Sequence, residues 1–113
     1  MKEIKAIIRS HRLDSVLQAL HQYPDLPGVT VSNVRGFGRT VGRADSDDIN
    51  SIDFANVAMA KVETVVDDSS AEAVTKLIEK AAHTGRKGDG KIFVVDVTEC
   101  VRISNGSRGS EAL

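Results

Sequence analysis

The sequence has little of several residue types that would assign it to particular classes of protein. Its 113 residues include one cysteine, one tyrosine, three phenylalanines and no tryptophan. Cys100 alone cannot form an internal disulfide, and no zinc-type spacing accompanies it, which indicates a reducing compartment or an inert buried thiol, and we favour the inert thiol. No stretch approaches the roughly 20 apolar residues of a membrane-spanning helix. The charged start, Met-Lys-Glu-Ile-Lys, lacks the apolar segment of a signal peptide, so we predict a cytoplasmic protein.

The chain also lacks an excess of either charge. Fifteen lysines and arginines stand against 16 aspartates and glutamates, giving a net charge of −1. This balance excludes a globally basic nucleic-acid-binding protein. A chain of this length forms one domain that buries about two-thirds of the surface exposed when it is unfolded. We therefore predict a single domain over residues 1–113.

Hydrophobic periodicity predicts four strands and two helices. Apolar residues alternate with a period of two, typical of strands, over residues 2–9, 29–34, 57–66 and 92–97. Helical spacing runs from about Arg12 towards Pro24, and again after Ser69-Ser-Ala-Glu72, which has the pattern of a capping box. Gly85 is predicted as the residue just past the end of the second helix. The order β-α-β-β-α-β indicates a ferredoxin-like α+β fold, with two helices on one face of an antiparallel sheet.

Two segments show neither periodicity. Residues 40–56 are rich in Asp, Ser, Asn and Gly, and their length predicts a long mobile loop between the second and third strands. The C-terminal tail, residues 104–113, has few apolar side chains. We expect this tail to become ordered only against another chain.

The segment His83–Val94, His-Thr-Gly-Arg-Lys-Gly-Asp-Gly-Lys-Ile-Phe-Val, is predicted to connect the second helix to the fourth strand. Glycines in such a loop can adopt positive φ, so that backbone N–H groups converge on an anion, and a nearby lysine adds a compact positive charge. This composition therefore suits a phosphate. A structural explanation stays open on these residues alone, because helices often end in Gly and Gly-Asp-Gly is common in turns.

A second segment upstream, Gly28-Val-Thr-Val-Ser-Asn-Val-Arg-Gly-Phe-Gly-Arg39, accompanies the first. Together the two resemble the nucleotide-binding signatures of the PII signalling proteins. The similarity extends to Met1-Lys-Glu-Ile-Lys-Ala-Ile-Ile8 at the start, and to Val101-Arg-Ile103 and Glu111-Ala-Leu113 at the end. The resemblance implies a homotrimer that binds an adenine nucleotide, ATP, ADP or AMP, in clefts between subunits. It leaves open whether Mg²⁺ accompanies the nucleotide.

The resemblance also implies which residues contact the nucleotide. One side of it is lined by residues matching Gly36, Phe37, Gly38 and Arg39. The adenine is surrounded by residues matching Ile7, Thr30 and Val65. The phosphates are held by residues matching Gly88, Asp89, Gly90, Lys91 and Arg102.

Four positions depart from the family pattern. Ser104 replaces an arginine that contacts phosphate, which favours a nucleotide with fewer phosphates. Thr40 and Met59 replace a glutamine and a lysine used for 2-oxoglutarate, so we do not expect this metabolite to bind. Ile52 replaces the tyrosine that is uridylylated. The chain thus resembles divergent, transporter-associated PII-like proteins, which implies that its loop regulates a partner protein such as a membrane transporter.

Other functions are less well supported by the residues. The three histidines lie on different elements and form no catalytic constellation, so we predict no enzyme activity. Asp45-Ser-Asp-Asp48 lacks the glycine and glutamate of a calcium loop, and we predict no metal site. An RNA-recognition module shares the element order, but Phe93 is the only aromatic residue of the predicted strands. A trimeric assembly module without ligand response is the alternative function.

Overall fold

A computed structural model of the protein describes residues 1–36 and 57–113. Strand β1 (Lys2–Arg9) leads through a short 3₁₀ turn, Ser10–Arg12, into helix α1 (Leu13–His21). Strands β2 (Thr30–Gly36) and β3 (Val57–Val66), helix α2 (Asp68–Ala82) and strand β4 (Gly90–Asp96) follow. A second 3₁₀ turn spans Gly109–Ala112. The loop predicted at residues 40–56 lies outside the described residues.

The four strands form one sheet in the order β2-β3-β1-β4, and every neighbouring pair is antiparallel. This arrangement confirms the ferredoxin-like α+β fold. Strand β1 has the central position, paired with β3 on one side and β4 on the other. Strands β2 and β4 are therefore the edges of the sheet.

One face of the sheet packs against the two helices. On β1, Ile4, Ala6 and Ile8 are at most 1% exposed, and alternate residues of β3 from Ala60 to Val66 are at most 3% exposed. The helices contribute further buried side chains to this core: Val16, Leu20, Val74 and Ile78. The period-two pattern of β1 and β3 predicted this face correctly, because each inward position carries an apolar group or, at Thr64, a hydroxyl that donates to the Gly28 carbonyl over 2.6 Å. The opposite side is called the open face.

The capping box predicted at Ser69 is wrong. Helix α2 begins one residue earlier, at Asp68, after an extended Asp67 whose side chain makes no capping hydrogen bond. The Ser70 N–H bonds to the main-chain oxygen of Asp67 over 3.0 Å, so Ser69 already lies inside the first turn. At the other end, α2 stops at Ala82 with His83 as its C-cap. Gly85 lies two residues beyond that cap, inside the connecting loop, so the prediction that it directly follows the end of the helix is wrong.

Strand β4 begins two residues earlier than the apolar run suggested. Gly90 pairs with Ile8, and Lys91 pairs with Ile7, so both belong to the strand rather than to the loop. Met59 lies inside β3, opposite Arg9, in agreement with the strand predicted over residues 57–66. Lys91 and Met59 therefore both have fixed positions on the sheet.

The prediction that the C-terminal tail orders only against another chain is also wrong. Val101 and Arg108 form an antiparallel bridge that closes a hairpin within the same chain. Ala112, on the 3₁₀ turn, is only 8% exposed. The tail is ordered within one chain because Ala112 is buried and because main-chain groups of residues 106, 107 and 109 form hydrogen bonds with residues 100 and 102. Within the two described ranges, no helix is both long and apolar enough to cross a membrane.

Candidate functional site

The glycine loop, residues 83–89, joins α2 to β4 and depends on glycines at defined positions. Gly85, Gly88 and Gly90 have φ values of +84°, +94° and +106°, which side-chain-bearing residues rarely adopt. At Gly90 a Cβ atom would also lie 1.7 Å from the carbonyl oxygen of Ile7. Only glycine lets β4 approach β1 this closely at the point where the loop enters the sheet.

The carboxylate of Asp89 organises this loop from within. One oxygen accepts hydrogen bonds from the N–H groups of Thr84 (2.8 Å) and Gly85 (3.2 Å). The other accepts from the Thr84 hydroxyl and from Nε of Arg9, at 2.9 Å for the latter. Four donors therefore surround a side chain that is 22% exposed. Asp89, predicted to contact phosphates, is positioned as part of the loop's internal framework.

These donors favour the ionised form of Asp89. The hydroxyl and N–H of Thr84, followed by the Arg9 guanidinium, hold the pKa of the Asp89 carboxyl well below its usual range. His83 also faces it, with Nδ1 at 3.7 Å, but its imidazole is largely exposed. The Asp89 carboxylate therefore stays ionised near neutral pH.

Asp89→Asn is expected to lower stability at neutral pH and to lose this effect in acid. Because the folded-state pKa is depressed, the unfolded chain binds the proton more readily, and the stabilisation by Asp89 is fully present above the unfolded value of about 3.9. The stabilisation by Asp89 declines as pH falls below the pKa of the unfolded chain towards the lower pKa of the folded protein. Urea unfolding of both proteins at pH 7, 5 and 3 measures the difference. A gap that stays constant down to pH 3 would contradict a charge-dependent network.

Arg9 is a residue of this site that the sequence reasoning missed. Its Nε contacts Asp89, and its Nη2 donates to the carbonyl oxygen of Lys87 over 2.5 Å. The guanidinium also lies against Gly88, where a Cβ atom would be 3.3 Å from Nη2. The one available sequence signal was a basic residue at the end of β1. Its partners, Asp89 and Lys87, are about 80 positions away in the sequence, so no local pattern connects them to Arg9.

Three main-chain donors of the glycine loop have no acceptor in residues 1–36 or 57–113. These are the N–H groups of Lys87, Gly88 and Asp89. Lys91 follows directly on β4, where it is exposed and pairs with Ile7 of the open face. Unpaired N–H groups beside a lysine, next to a half-buried apolar side chain, can bind an anionic group attached to an apolar ring.

The other predicted adenine residues share the open face but do not meet Ile7. Thr30 lies opposite Glu63, and Val65 lies opposite Glu3. Ile7 is therefore four residues along β1 from the position facing Val65, or about 13 Å at roughly 3.3 Å per residue. Within one chain, Thr30 and Val65 are neighbours, while Ile7 belongs with Lys91.

Arg102 lies at the opposite end of the sheet from the glycine loop. Its Nη2 donates to the main-chain oxygen of Leu113 over 2.5 Å, and its Nε to that of Ala112 over 3.3 Å. Leu113 lines a small cavity with Val66, which pairs with Lys2 at the far end of β1 from Arg9. The length of β1, about 23 Å, separates the two ends. One chain therefore does not bring Arg102 and Lys91 together.

The remaining predicted contacts belong to the second signature. Gly36 ends β2 opposite Val57, at the same end of the sheet as the glycine loop but on the other edge strand. Phe37, Gly38, Arg39 and Thr40 lie outside the described residues.

A groove of about 360 Å³ runs beside the glycine loop, between the C-terminal half of α2 and β4. Ile8 and Ile92 supply apolar walls, while Asp89, Lys91 and Glu79 supply charge. The groove opens at the edge of the sheet because no other described strand pairs with the outer side of β4. Its exposed side is available to a ligand or to another chain.

Comparisons with known proteins identify the family of this chain. The family model described as nitrogen regulatory protein P-II matches residues 1–107. The nitrogen regulatory protein P-II of Azospirillum brasilense is 44% identical to this chain, and that of Rhodospirillum rubrum is 42% identical, each over the whole of both chains. The corresponding protein of Nostoc punctiforme is 42% identical, also over the full length of both. The chain belongs to the nitrogen regulatory protein P-II family of signalling proteins.

Proposed function

We propose that this protein binds an adenine nucleotide between neighbouring copies of the chain and, through the segment between β2 and β3, regulates a partner protein. The observation that carries the proposal is that the N–H groups of Lys87, Gly88 and Asp89 have no acceptor among the described residues, in the loop that leads directly to the exposed Lys91 on β4. Such an arrangement attracts a phosphate group without a metal. Ile7, in register with Lys91, offers an apolar surface to the attached base or ribose.

The separation of the candidate residues supports a site shared by two copies. Arg102 and Val65 lie at one end of the sheet, and Lys91, Ile7 and the glycine loop lie at the other. A neighbouring copy that places its Arg102 end beside the glycine loop would complete a site that has phosphate donors on both sides. In a homotrimer, each cleft would combine the glycine loop of one copy with Arg102 of its neighbour. Three equivalent sites would therefore form.

The exposed surface of β4 supports assembly independently of any ligand. Phe93, Val94 and Val95 are each 47–49% exposed, and their strand is an unpaired edge in the described sheet. Phe93 and Val95 face the open side, since they pair with Lys5 and Glu3. Consecutive apolar residues on an open edge favour contact with another chain. Another copy of the same chain is the proposed occupant.

Signalling requires the nucleotide to bind one state of the β2–β3 segment more tightly than another, commonly by about 1–3 kcal/mol. Gly36 and Val57, opposite each other at the end of β2 and β3, are where this segment leaves the sheet. They lie at the same end of the sheet as the glycine loop, so a nucleotide bound there lies at the end from which the segment leaves the sheet. The partner protein is proposed to be a membrane transporter, and the protein to act in the cytoplasm, as the family resemblance and the charged N-terminus suggest.

Isothermal titration calorimetry with ATP, ADP and AMP, each with and without Mg²⁺ and 2-oxoglutarate, tests the proposal. We expect heat from at least one adenine nucleotide at about one site per chain. We expect no Mg²⁺-dependent heat from 2-oxoglutarate, because Met59 offers no cation at its place on β3.

The same titration separates the alternatives. Absence of heat from all three nucleotides would exclude the sensor and leave the assembly module, which the β4 surface supports. Strong Mg²⁺-dependent binding of 2-oxoglutarate would show that Met59 does not prevent that metabolite from binding. A mass of one chain at all protein concentrations, measured by light scattering, would exclude a site shared between copies.

A further inference from the structure

Asp89 presents a problem for an anion site, because its ionised carboxylate lies next to the N–H groups that would receive a phosphate. Two negative charges about 4 Å apart repel each other appreciably even at the surface of a protein. The structure contains a compensating group, the Arg9 guanidinium, with Nε 2.9 Å from a carboxylate oxygen of Asp89. Arg9 and Asp89 are both about one-quarter exposed, so their ion pair is only partly screened by solvent.

The second contact of Arg9 fixes the shape of the loop. Nη2 donates to the carbonyl of Lys87, while Nε bonds to Asp89, so one planar guanidinium spans the turn on both sides of Gly88. With its carbonyl held by Arg9, the peptide between Lys87 and Gly88 directs its N–H away from the guanidinium. Nη2 also packs against Gly88, where a Cβ atom would lie 3.3 Å from it, so the guanidinium is in close contact with the same peptide.

We propose that Arg9 is a positioning residue for phosphate binding: through Asp89 and the Lys87 carbonyl it orients the N–H groups of the glycine loop and neutralises the carboxylate beside them. This inference rests on the proposed nucleotide site and adds a residue that belongs to neither sequence signature. Arg9 does not itself contact the nucleotide in this scheme. Lysine cannot replace it, because a single ammonium group lacks the planar fork that reaches both acceptors.

The test measures ADP affinity by calorimetry for the wild type and for Arg9→Gln, Arg9→Lys and Asp89→Asn. We expect Arg9→Gln to weaken ADP binding about tenfold or more, the effect typical of losing hydrogen bonds to a charged group. Arg9→Lys keeps the charge and is expected to recover less than half of this loss. Lys76→Gln is the matched control, since it removes one lysine and its ion pair with Glu72 on the exposed side of α2. Its affinity should stay within about twofold of the wild type.

Two further measurements distinguish positioning from general destabilisation. The double variant Arg9→Gln/Asp89→Asn should bind ADP no more weakly than the weaker single variant, because both changes disrupt one unit. Amide hydrogen exchange of Thr84 and Gly85 should accelerate at least fivefold in Arg9→Gln, while that of Val74 in the core of α2 should stay unchanged.

The outcomes separate this inference from the function on which it rests. If the wild type itself gives no heat with ADP, ATP or AMP, the nucleotide site is wrong and the role of Arg9 falls with it. If the wild type binds and Arg9→Gln binds equally well, only the inference is overturned. Full recovery by Arg9→Lys would show that Arg9 supplies charge rather than position. Multiplicative losses in the double variant would show that Arg9 and Asp89 act separately.

Discussion

Gly90→Ala is expected to lower the free energy of unfolding by about 3–5 kcal/mol, one of the largest effects available from a single methyl group in this protein. The added Cβ would lie 1.7 Å from the Ile7 carbonyl oxygen, and the residue would have to keep a φ of +106°. Neither obstacle is a flexible side chain that could move aside, because both belong to the backbone of paired strands. Urea unfolding followed by circular dichroism measures the loss.

Two glycine variants separate the causes of this effect. Gly106→Ala tests positive φ alone, since Gly106 has φ +71° with open space around it, and should cost about 1–2 kcal/mol. Gly28→Ala tests the loss of glycine alone, with neither strain nor a nearby atom, and should change stability by no more than about 0.5 kcal/mol. A Gly90→Ala protein as stable as Gly28→Ala would mean that β4 does not approach β1 as described.

Lys91→Ala is expected to weaken ATP and ADP binding about ten- to a hundredfold. Lys91 is exposed on β4 directly after the loop whose N–H groups at Lys87, Gly88 and Asp89 lack acceptors among the described residues, and charge-assisted hydrogen bonds to phosphate each contribute about 1.5–3 kcal/mol. Calorimetry gives the change in affinity. Because Lys91 is exposed, the free energy of unfolding should change by less than about 0.5 kcal/mol.

Lys76→Ala is the matched control for Lys91. It removes the same group from an exposed position on α2, away from the sheet, and should leave nucleotide affinity within about twofold of the wild type. Equal affinities for Lys91→Ala and the wild type would remove Lys91 from the site, even though the chain's family membership would be unaffected.

The strands that pattern alone could predict are those with one buried and one exposed face. Strand β3 has the predicted bounds because inward positions from Ala60 to Val66 alternate with more exposed ones. Strand β1 was predicted equally well for the same reason. Such alternation follows from local geometry, since successive side chains of a strand point to opposite faces.

Glycine was the least informative residue about element boundaries. Gly90 was assigned to a loop because glycine favours turns, whereas the structure uses its missing Cβ to pair with Ile8 in the sheet. Which of the two uses applies depends on the carbonyl of Ile7, a residue 83 positions earlier in the chain. No local pattern contains that information.

The site was only partly predictable for a similar reason. The sequence indicated that the glycine loop and Lys91 could bind phosphate, and the structure places them side by side. It did not indicate that Asp89 is held by Arg9 and Thr84, because this depends on bringing the ends of β1 and α2 together. The sequence also did not indicate that Arg102 and the glycine loop lie at opposite ends of β1, about 23 Å apart along the strand. The pairing register of β1 is needed to see this separation.

The central claim is that main-chain N–H groups of the glycine loop bind the phosphates of an adenine nucleotide. Amide chemical shifts of Lys87, Gly88 and Asp89, recorded by NMR during titration with ADP and with adenosine, test it most directly. We predict large shift changes at these three amides with ADP and small ones with adenosine, which lacks phosphate. Unchanged amides at saturating ADP, or equal changes with adenosine, would contradict the account.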